Sequence, residues 1–196
     1  FRKVKIFMEA QFKPQPRRFR FTVDEYYKMI EQGILKNCEK SEIIDGELIE
    51  KMPIGDKHAG AVNSLAKHFI KKVSDRILVS IQNPLRISDF HEPEPDIVLA
   101  DLTKYDGKRH PRPAETLLVV EVSDSTLKYD RENKLPLYAE AEIPEVWIVN
   151  LPSNIIEVHQ KPNVGVYQLV NIFKQGETVK SSSLVDLEIS VDEILN

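Results

Sequence analysis

Residues 117–122 read Leu-Leu-Val-Val-Glu-Val, an almost unbroken apolar run that places one carboxylic acid, Glu121, among aliphatic side chains. Such a run predicts a strand that is buried on both faces of a sheet. Burying an ionised carboxylate is costly unless the charge is paired or coordinates a metal. Glu121 therefore needs a compensating group, which could be a structural salt bridge with Arg131 or Lys134, or a bound cation.

A second acid precedes another apolar run upstream. The segment Pro95-Asp96-Ile97-Val98-Leu99 places Asp96 at the start of a predicted strand. Taken alone, this position is typical of a turn residue. Two carboxylates on adjacent strands, however, can bind one Mg²⁺ and leave coordination positions for water and phosphate. A metal there would neutralise phosphate charge and lower the pKa of a bound water, so Asp96 and Glu121 together predict a divalent-metal site.

A lysine near these acids would complete the chemistry. Strand alternation puts residue 123 on the same face as Glu121, but that residue is Ser123. Lys134, at the start of the next predicted helix, could lean back over the strand end. Its predicted role is to orient or help deprotonate the attacking water and to offset phosphate charge. The alternative is an i, i+4 surface pair between Asp130 and Lys134.

Sequence patterns outside this segment predict an α/β fold. Thr22-Val23-Asp24-Glu25 is a capping box for a helix that ends near Gly33. Residues 43–49 form a hairpin around Asp45-Gly46, and the spacing of apolar residues predicts a helix over 62–73. A further helix is expected over 130–141, and Pro136 suggests that the regular helix begins there. Further strands are predicted over residues 77–81, 85–87, 97–100, 146–150, 155–159, 166–172 and 187–191. The order implies a central mixed β-sheet flanked by helices, with additional antiparallel strands.

Composition limits the functional classes. The chain has 196 residues, 41% of them hydrophobic, and a net charge of −4. The acidic balance disfavours a protein that coats nucleic acid, whereas a metal-dependent nuclease needs acidic groups. No signal peptide or membrane-spanning run is evident, and the single cysteine, Cys38, cannot form an internal disulfide, so we expect a cytoplasmic protein without membrane contact. Residues 1–20 read as a basic N-terminal arm.

The combined motifs resemble the PD-(D/E)XK nucleases and, more narrowly, the large bacterial family of putative restriction endonucleases. The matching segments extend from about residue 20 to the end of the chain: residues 21–26, Glu42-Ile43-Ile44-Asp45-Gly46-Glu47, His58, Glu94-Pro95-Asp96, residues 118–123, Asp130-Arg131 through Lys134, Tyr138-Ala139 and residues 143–147. The resemblance implies a restriction-endonuclease-like core over residues 21–196, Mg²⁺ or Mn²⁺ as cofactor, and a homodimer. It also implies that Asp96 and Glu121 are metal ligands and that Lys134 is the catalytic lysine, moved from the strand to the helix.

Three further residues are candidates for the site. Glu47 could bring a third carboxylate to the metal, or it could be a surface residue of the hairpin. His58 could contact phosphate or substrate at a helix N-terminus, where the backbone favours anions, or it could be structural. Ser123 could contact substrate because it shares a strand face with Glu121.

Two functional hypotheses follow. The first is a Mg²⁺-dependent endonuclease that hydrolyses DNA phosphodiester bonds with a metal-activated water. The alternative is a catalytically inert module of the same fold that acts in DNA binding or protein assembly, a reading that the acidic pI of 5.8 and the missing strand lysine favour. An RNase would use the same residues.

Overall fold

The structure, a computed structural model, describes residues 18–36 and 41–195. Residues 1–17 of the predicted arm, together with Cys38, lie outside these ranges. The described chain forms, in order, α1 (Val23–Glu31), β1 (Ser41–Ile44), β2 (Glu47–Glu50), α2 (Asp56–Lys72), β3 (Ile77–Ile81), β4 (Ile97–Asp101), β5 (Thr116–Ser123), α3 (Leu127–Tyr129), α4 (Leu135–Glu140), β6 (Glu145–Asn150), β7 (Ile155–Asn163), β8 (Val166–Lys174), β9 (Thr178–Lys180) and β10 (Glu188–Ser190).

A six-stranded mixed sheet, ordered β3-β4-β5-β6-β7-β8, forms the centre of the molecule. The pair β5–β6 is parallel, and the other neighbouring strands of this sheet are antiparallel. This arrangement confirms the predicted α/β class with a central mixed sheet. In β4 and β5, Ile97 pairs with Val120. Asp96, the residue before β4, therefore lies beside Glu121 in β5.

Helices cover both faces of this sheet. On one face α2 packs Val62, Leu65 and Phe69 into a core with β4, β5 and β6, and the Phe69 ring lies 5.9 Å from the Trp147 ring. On the other face Tyr138 of α4 packs with β5 and β6. A strand between two such layers is apolar on both sides, which explains the composition of residues 117–122.

The connection between the parallel strands β5 and β6 is one continuous helix with an irregular turn. It begins as α3, passes through a π-helical turn over Asp130–Lys134, and continues as α4. The prediction that the regular helix begins at Pro136 holds to within one residue, because α4 begins at Leu135 and Pro136 lies in its first turn. Helical structure nevertheless extends further back, to Leu127. Within the π turn the N–H of Leu135 donates to the carbonyl of Asp130, five residues back. This wider register accommodates the next residue, a proline, which lacks an N–H and would collide with the carbonyl four residues back in an α-helix.

Two other local expectations changed. Residues 85–87 do not form a strand, because Leu85 and Ile87 donate to the carbonyls of Pro93 and His91 in an adjoining loop. The short strand β9, which was not predicted, pairs with β10 in a separate two-stranded sheet. The capping box at Thr22 and the hairpin around Asp45-Gly46 are confirmed.

The end of the arm that the structure describes contacts this hairpin. Arg18 and Arg20 form ion pairs with Glu47 and Asp45 respectively. In the part of the chain described, no helix is long and apolar enough to cross a lipid bilayer.

A fully buried acid, Glu145 at the start of β6, fastens the C-terminal segment to the sheet. Its Oε1 accepts a hydrogen bond of 2.6 Å from the Trp147 indole, and its Oε2 accepts from Ser181, Ser182 and Ser183 over 2.8–3.1 Å. Removing the carboxylate would leave several buried donors without an acceptor.

We expect Glu145→Ala to lower the free energy of unfolding by about 3 kcal/mol, because each lost bond to a charged group leaves a desolvated donor. Urea unfolding followed by circular dichroism measures this change. The control is Glu188→Ala, which removes an exposed partner of Lys180 and should change the free energy of unfolding far less, because solvent screens an exposed ion pair. Similar losses in both variants would contradict this role of Glu145.

Candidate active site

One cleft collects most of the predicted site residues. It has a volume of about 400 Å³ and lies between the β1–β2 hairpin, the start of α2, the residue before β4 and the end of β5. Asp96, Glu121, Lys134 and His58 all line it. The structure therefore brings together four residues that are separated by up to 76 positions in the sequence (58 to 134).

Asp96 is held from three sides. Its Oδ2 accepts a hydrogen bond of 2.8 Å from the backbone N–H of Val122 and lies 3.1 Å from Nε2 of His58. Its Oδ1 accepts a longer bond of 3.3 Å from the Gln82 amide. The bond to Val122 ties Asp96 directly to β5, so the two acids share a fixed geometry.

Glu121 is the acid that the apolar run of β5 carries, and it is only 4% exposed. Its Oε1 accepts a hydrogen bond of 2.6 Å from the Tyr138 hydroxyl and lies 3.4 Å from Nζ of Lys134. Burial raises the pKa of Glu121 to about 8, and the Lys134 charge only partly opposes this shift. Of the two partners proposed for Glu121 from sequence, Lys134 is present, whereas Arg131 pairs with Glu157.

Lys134 is the last residue of the π turn and is buried between two acids. Its Nζ lies 3.0 Å from Oε2 of Glu42 and 3.4 Å from Oε1 of Glu121. Burial alone would lower the pKa of Lys134, but the carboxylates of Glu121, Glu42 and Asp130 outweigh it and raise the pKa above its ordinary value. Lys134 therefore remains a cation at neutral pH, and its ion-pair partners are the buried Glu42 and Glu121 rather than Asp130.

The hairpin acid that reaches the cleft is Glu42, not Glu47. The two residues lie on one face of the hairpin, because Glu42 pairs with Ile49 and Glu47 pairs with Ile44. Glu47, however, is next to the turn, where it forms an ion pair with Arg18 and its side chain is 40% exposed. Glu42 sits two residues further from the turn and accepts from the Glu94 N–H at 3.0 Å. The position of Glu47 corrects the expectation that it supplies a third carboxylate.

Ser123 has a different role from the one predicted. It is fully buried, so it cannot contact a substrate in this conformation. Its hydroxyl donates at 2.8 Å to Oδ2 of Asp130, which also accepts from the Thr126 hydroxyl at 2.8 Å. Asp130 lines the cleft, and burial raises its pKa. Ser123 thus orients another acid of the cleft, Asp130.

His58 occupies the first turn of α2, as the sequence suggested, and its imidazole turns toward Asp96. The hydrogen bond to Asp96 raises the pKa of His58, while burial opposes this effect. Its other ring nitrogen, Nδ1, is buried and has no hydrogen-bond partner among the described residues. The protonated form of His58 is therefore favoured beside Asp96, within the same cleft.

The donor chemistry of the cleft fits a hard divalent cation held by few protein ligands. Among residues 18–36 and 41–195, no three His, Cys, Asp or Glu side chains form a ready set of metal ligands. Asp96 and Glu121 nevertheless offer oxygen ligands, and Mg²⁺ is commonly bound through one or two carboxylates with water completing its shell. Oε2 of Glu121 receives no hydrogen bond from any described residue. These two acids are the residues that could hold the metal.

Sequence reasoning missed three residues of this arrangement: Glu42, Asp130 and Tyr138. Tyr138 follows Lys134 by four positions, and residues at that spacing share one face of a helix. That spacing could have linked it to Glu121. Asp130 could have been linked through its potential hydrogen bond to Ser123. Nothing in the local pattern distinguishes Glu42 from Glu47 as the acid that reaches the cleft.

The raised pKa of Glu121 predicts how stability depends on pH. The folded state binds this proton more tightly than the unfolded state, so the unfolding free energy of the metal-free chain should fall as pH rises from about 4.5 to about 8. The slope from this group is at most about 1.4 kcal/mol per pH unit. Glu121→Gln cannot titrate but keeps an oxygen for Tyr138, so its stability should depend less on pH over this range. Urea unfolding at a series of pH values measures this dependence, and Glu47→Gln is the control. If the unfolding free energy of wild type and of Glu121→Gln changes with pH at the same slope, the pKa of Glu121 is not raised.

Comparisons with known proteins agree with the fold. The family model Uma2, described as putative restriction endonuclease, matches residues 23–192. A crystal structure of a putative nuclease belonging to DUF820 from Anabaena variabilis ATCC 29413 superposes with a TM-score of 0.70 at 18% identity, covering 89% of this chain and 97% of that one. At this identity the likeness concerns the fold. No curated protein matches the sequence. Because the family model spans most of the chain, the protein belongs to the Uma2 family of putative restriction endonucleases.

Proposed function

We propose that this chain is a metal-dependent nuclease that hydrolyses DNA phosphodiester bonds in the cleft between the hairpin and the sheet. The observation that carries the proposal is the meeting of two strand-borne acids, Asp96 and Glu121, with the Lys134 ammonium in one cleft. Family membership and the nuclease-like fold support nuclease chemistry. The description of the family as restriction endonucleases favours DNA as the substrate.

Asp96 and Glu121 would hold Mg²⁺, for which Mn²⁺ could substitute. When bound, the metal lowers the pKa of a coordinated water and neutralises charge on the phosphate. The protein's contribution is to fix the two carboxylates before substrate arrives. The Val122 N–H orients Asp96, and the Tyr138 hydroxyl orients Glu121. This preorganisation removes the cost of ordering the acids during the reaction.

Lys134 would act as a fixed positive charge. A lysine whose pKa is raised remains protonated, so Lys134 cannot accept a proton from water at neutral pH. Its ammonium can instead orient the attacking water and stabilise negative charge that develops on the phosphate. In the reaction the water oxygen bonds to phosphorus as the bond from phosphorus to O3′ breaks, and the products are a 5′ phosphate and a 3′ hydroxyl.

Cutting both strands of a duplex in one binding event takes two such clefts, because one cleft hydrolyses one strand at a time. We therefore propose that the protein acts on duplex DNA as a homodimer. RNA is the competing substrate, because the same residues could hydrolyse it. Parallel assays on DNA and RNA of one sequence distinguish the two substrates.

A catalytically inert module of this fold is the second candidate. Two observations favour it: Lys134 already pairs with both Glu42 and Glu121, and the described residues contain no ready three-ligand metal site. In that case the polar cleft would be a structural ion-pair network, and the protein would act in DNA binding or assembly.

We expect purified wild-type protein to cut plasmid DNA with Mg²⁺ or Mn²⁺. The variants Asp96→Asn and Glu121→Gln should cut it at least about 100-fold more slowly. Both substitutions keep the shape of the side chain but remove the ionised oxygen that a metal needs. Glu47→Gln is the matched control, because Glu47 lies outside the cleft, and it should cut like wild type. Gel electrophoresis over a time course measures the rates.

Equal cutting by wild type and Asp96→Asn would remove this cleft from the mechanism. Failure of the wild type to cut DNA or RNA at any metal concentration would favour the inert module.

A further inference from the structure

We infer that Tyr138 is a positioning residue of the site, whose hydroxyl holds one oxygen of Glu121 so that the other faces the cleft. This inference rests on the proposed function, since it concerns the acid that would hold the metal. The ring of Tyr138 is an ordinary part of the hydrophobic core, because it packs between α4 and the sheet. Its hydroxyl is the exception.

The contact is short and fully enclosed. The Tyr138 hydroxyl donates to Oε1 of Glu121 at 2.6 Å, and Tyr138 has no exposed surface. Lys134 approaches the same oxygen at 3.4 Å. Two donors therefore converge on Oε1, whereas Oε2 accepts no hydrogen bond from the part of the chain that the structure describes.

Both donors come from one helix. Lys134 closes the π turn and Tyr138 lies in α4, four residues later, so both point from the same helix face toward β5. The hydroxyl of Tyr167 in β8 donates elsewhere, at 2.8 Å to the carbonyl of Ile143, which lies three residues beyond the end of α4. Lys134 and Tyr138 of the crossover helix together fix the rotation of the Glu121 carboxylate.

Tyr138 cannot touch a substrate, since it is buried behind Glu121. Its effect must pass through the orientation of that carboxylate. Outer partners of this kind commonly change metal affinity by about 10- to 100-fold when they are removed, because the ligand is then free to rotate away from the metal. Loss of the hydroxyl should therefore weaken metal binding while leaving the chemical step available once the metal is bound.

The test compares Tyr138→Phe with Tyr167→Phe, each of which removes one hydroxyl from a tyrosine packed beside α4. Isothermal titration calorimetry with Mn²⁺ alone measures the affinity of the whole protein without substrate, and circular dichroism checks that both variants are folded. We expect Tyr138→Phe to bind Mn²⁺ about 10- to 100-fold more weakly than wild type, and Tyr167→Phe to bind within about twofold of it. In cleavage assays, saturating Mn²⁺ should restore most of the turnover of Tyr138→Phe.

Three results would overturn the inference, and they differ in what else they affect. Wild-type affinity in Tyr138→Phe would remove the positioning role and leave the proposed metal site intact. Equal weakening in Tyr167→Phe would assign the effect to general loosening of the helix. Absence of Mn²⁺ binding by the wild type would remove both the positioning role and the proposed function.

Discussion

The cost of placing a carboxyl group inside the sheet constrains the whole site. Glu121 lies in a strand that is covered on both faces, where an acid with no partner would be strongly destabilising. The surrounding structure compensates in two ways: Lys134 and Tyr138 approach one oxygen, and burial shifts the carboxyl toward its protonated form with a pKa of about 8. Both effects leave Oε2 of Glu121 without a hydrogen bond from any residue that the structure describes.

The π turn links this local problem to the fold. It ends at Lys134, and the same helix carries Tyr138 one turn later. Because this helix is also the crossover that makes β5 and β6 parallel, the topology of the sheet and the geometry of the cleft depend on one element. Asp130, at the start of the π turn, is held by Ser123 at the end of β5, which fastens the two elements together. Single π turns inside α-helices frequently occur at functional sites.

Much of this architecture could be predicted from sequence because its determinants are local. The apolar run around Glu121 predicts a buried strand whose acid needs a partner, and the proline before Asp96 marks the start of another strand. The choice between Glu42 and Glu47 could not be predicted, since both lie on one hairpin face and only tertiary docking decides which acid reaches Lys134. The π turn was also hidden, because apolar periodicity does not register one extra residue in a helical turn.

The proposed function depends on Asp96 and Glu121 binding one cation between them. Crystals soaked in Mn²⁺ and measured near the manganese absorption edge test it directly, because anomalous density locates the ion without reference to activity. We expect a single strong peak within bonding distance of Asp96 and Glu121, with Lys134 still beside Glu121. No anomalous peak between these carboxylates at saturating Mn²⁺, or a peak only elsewhere, would show that the two acids do not share a cation.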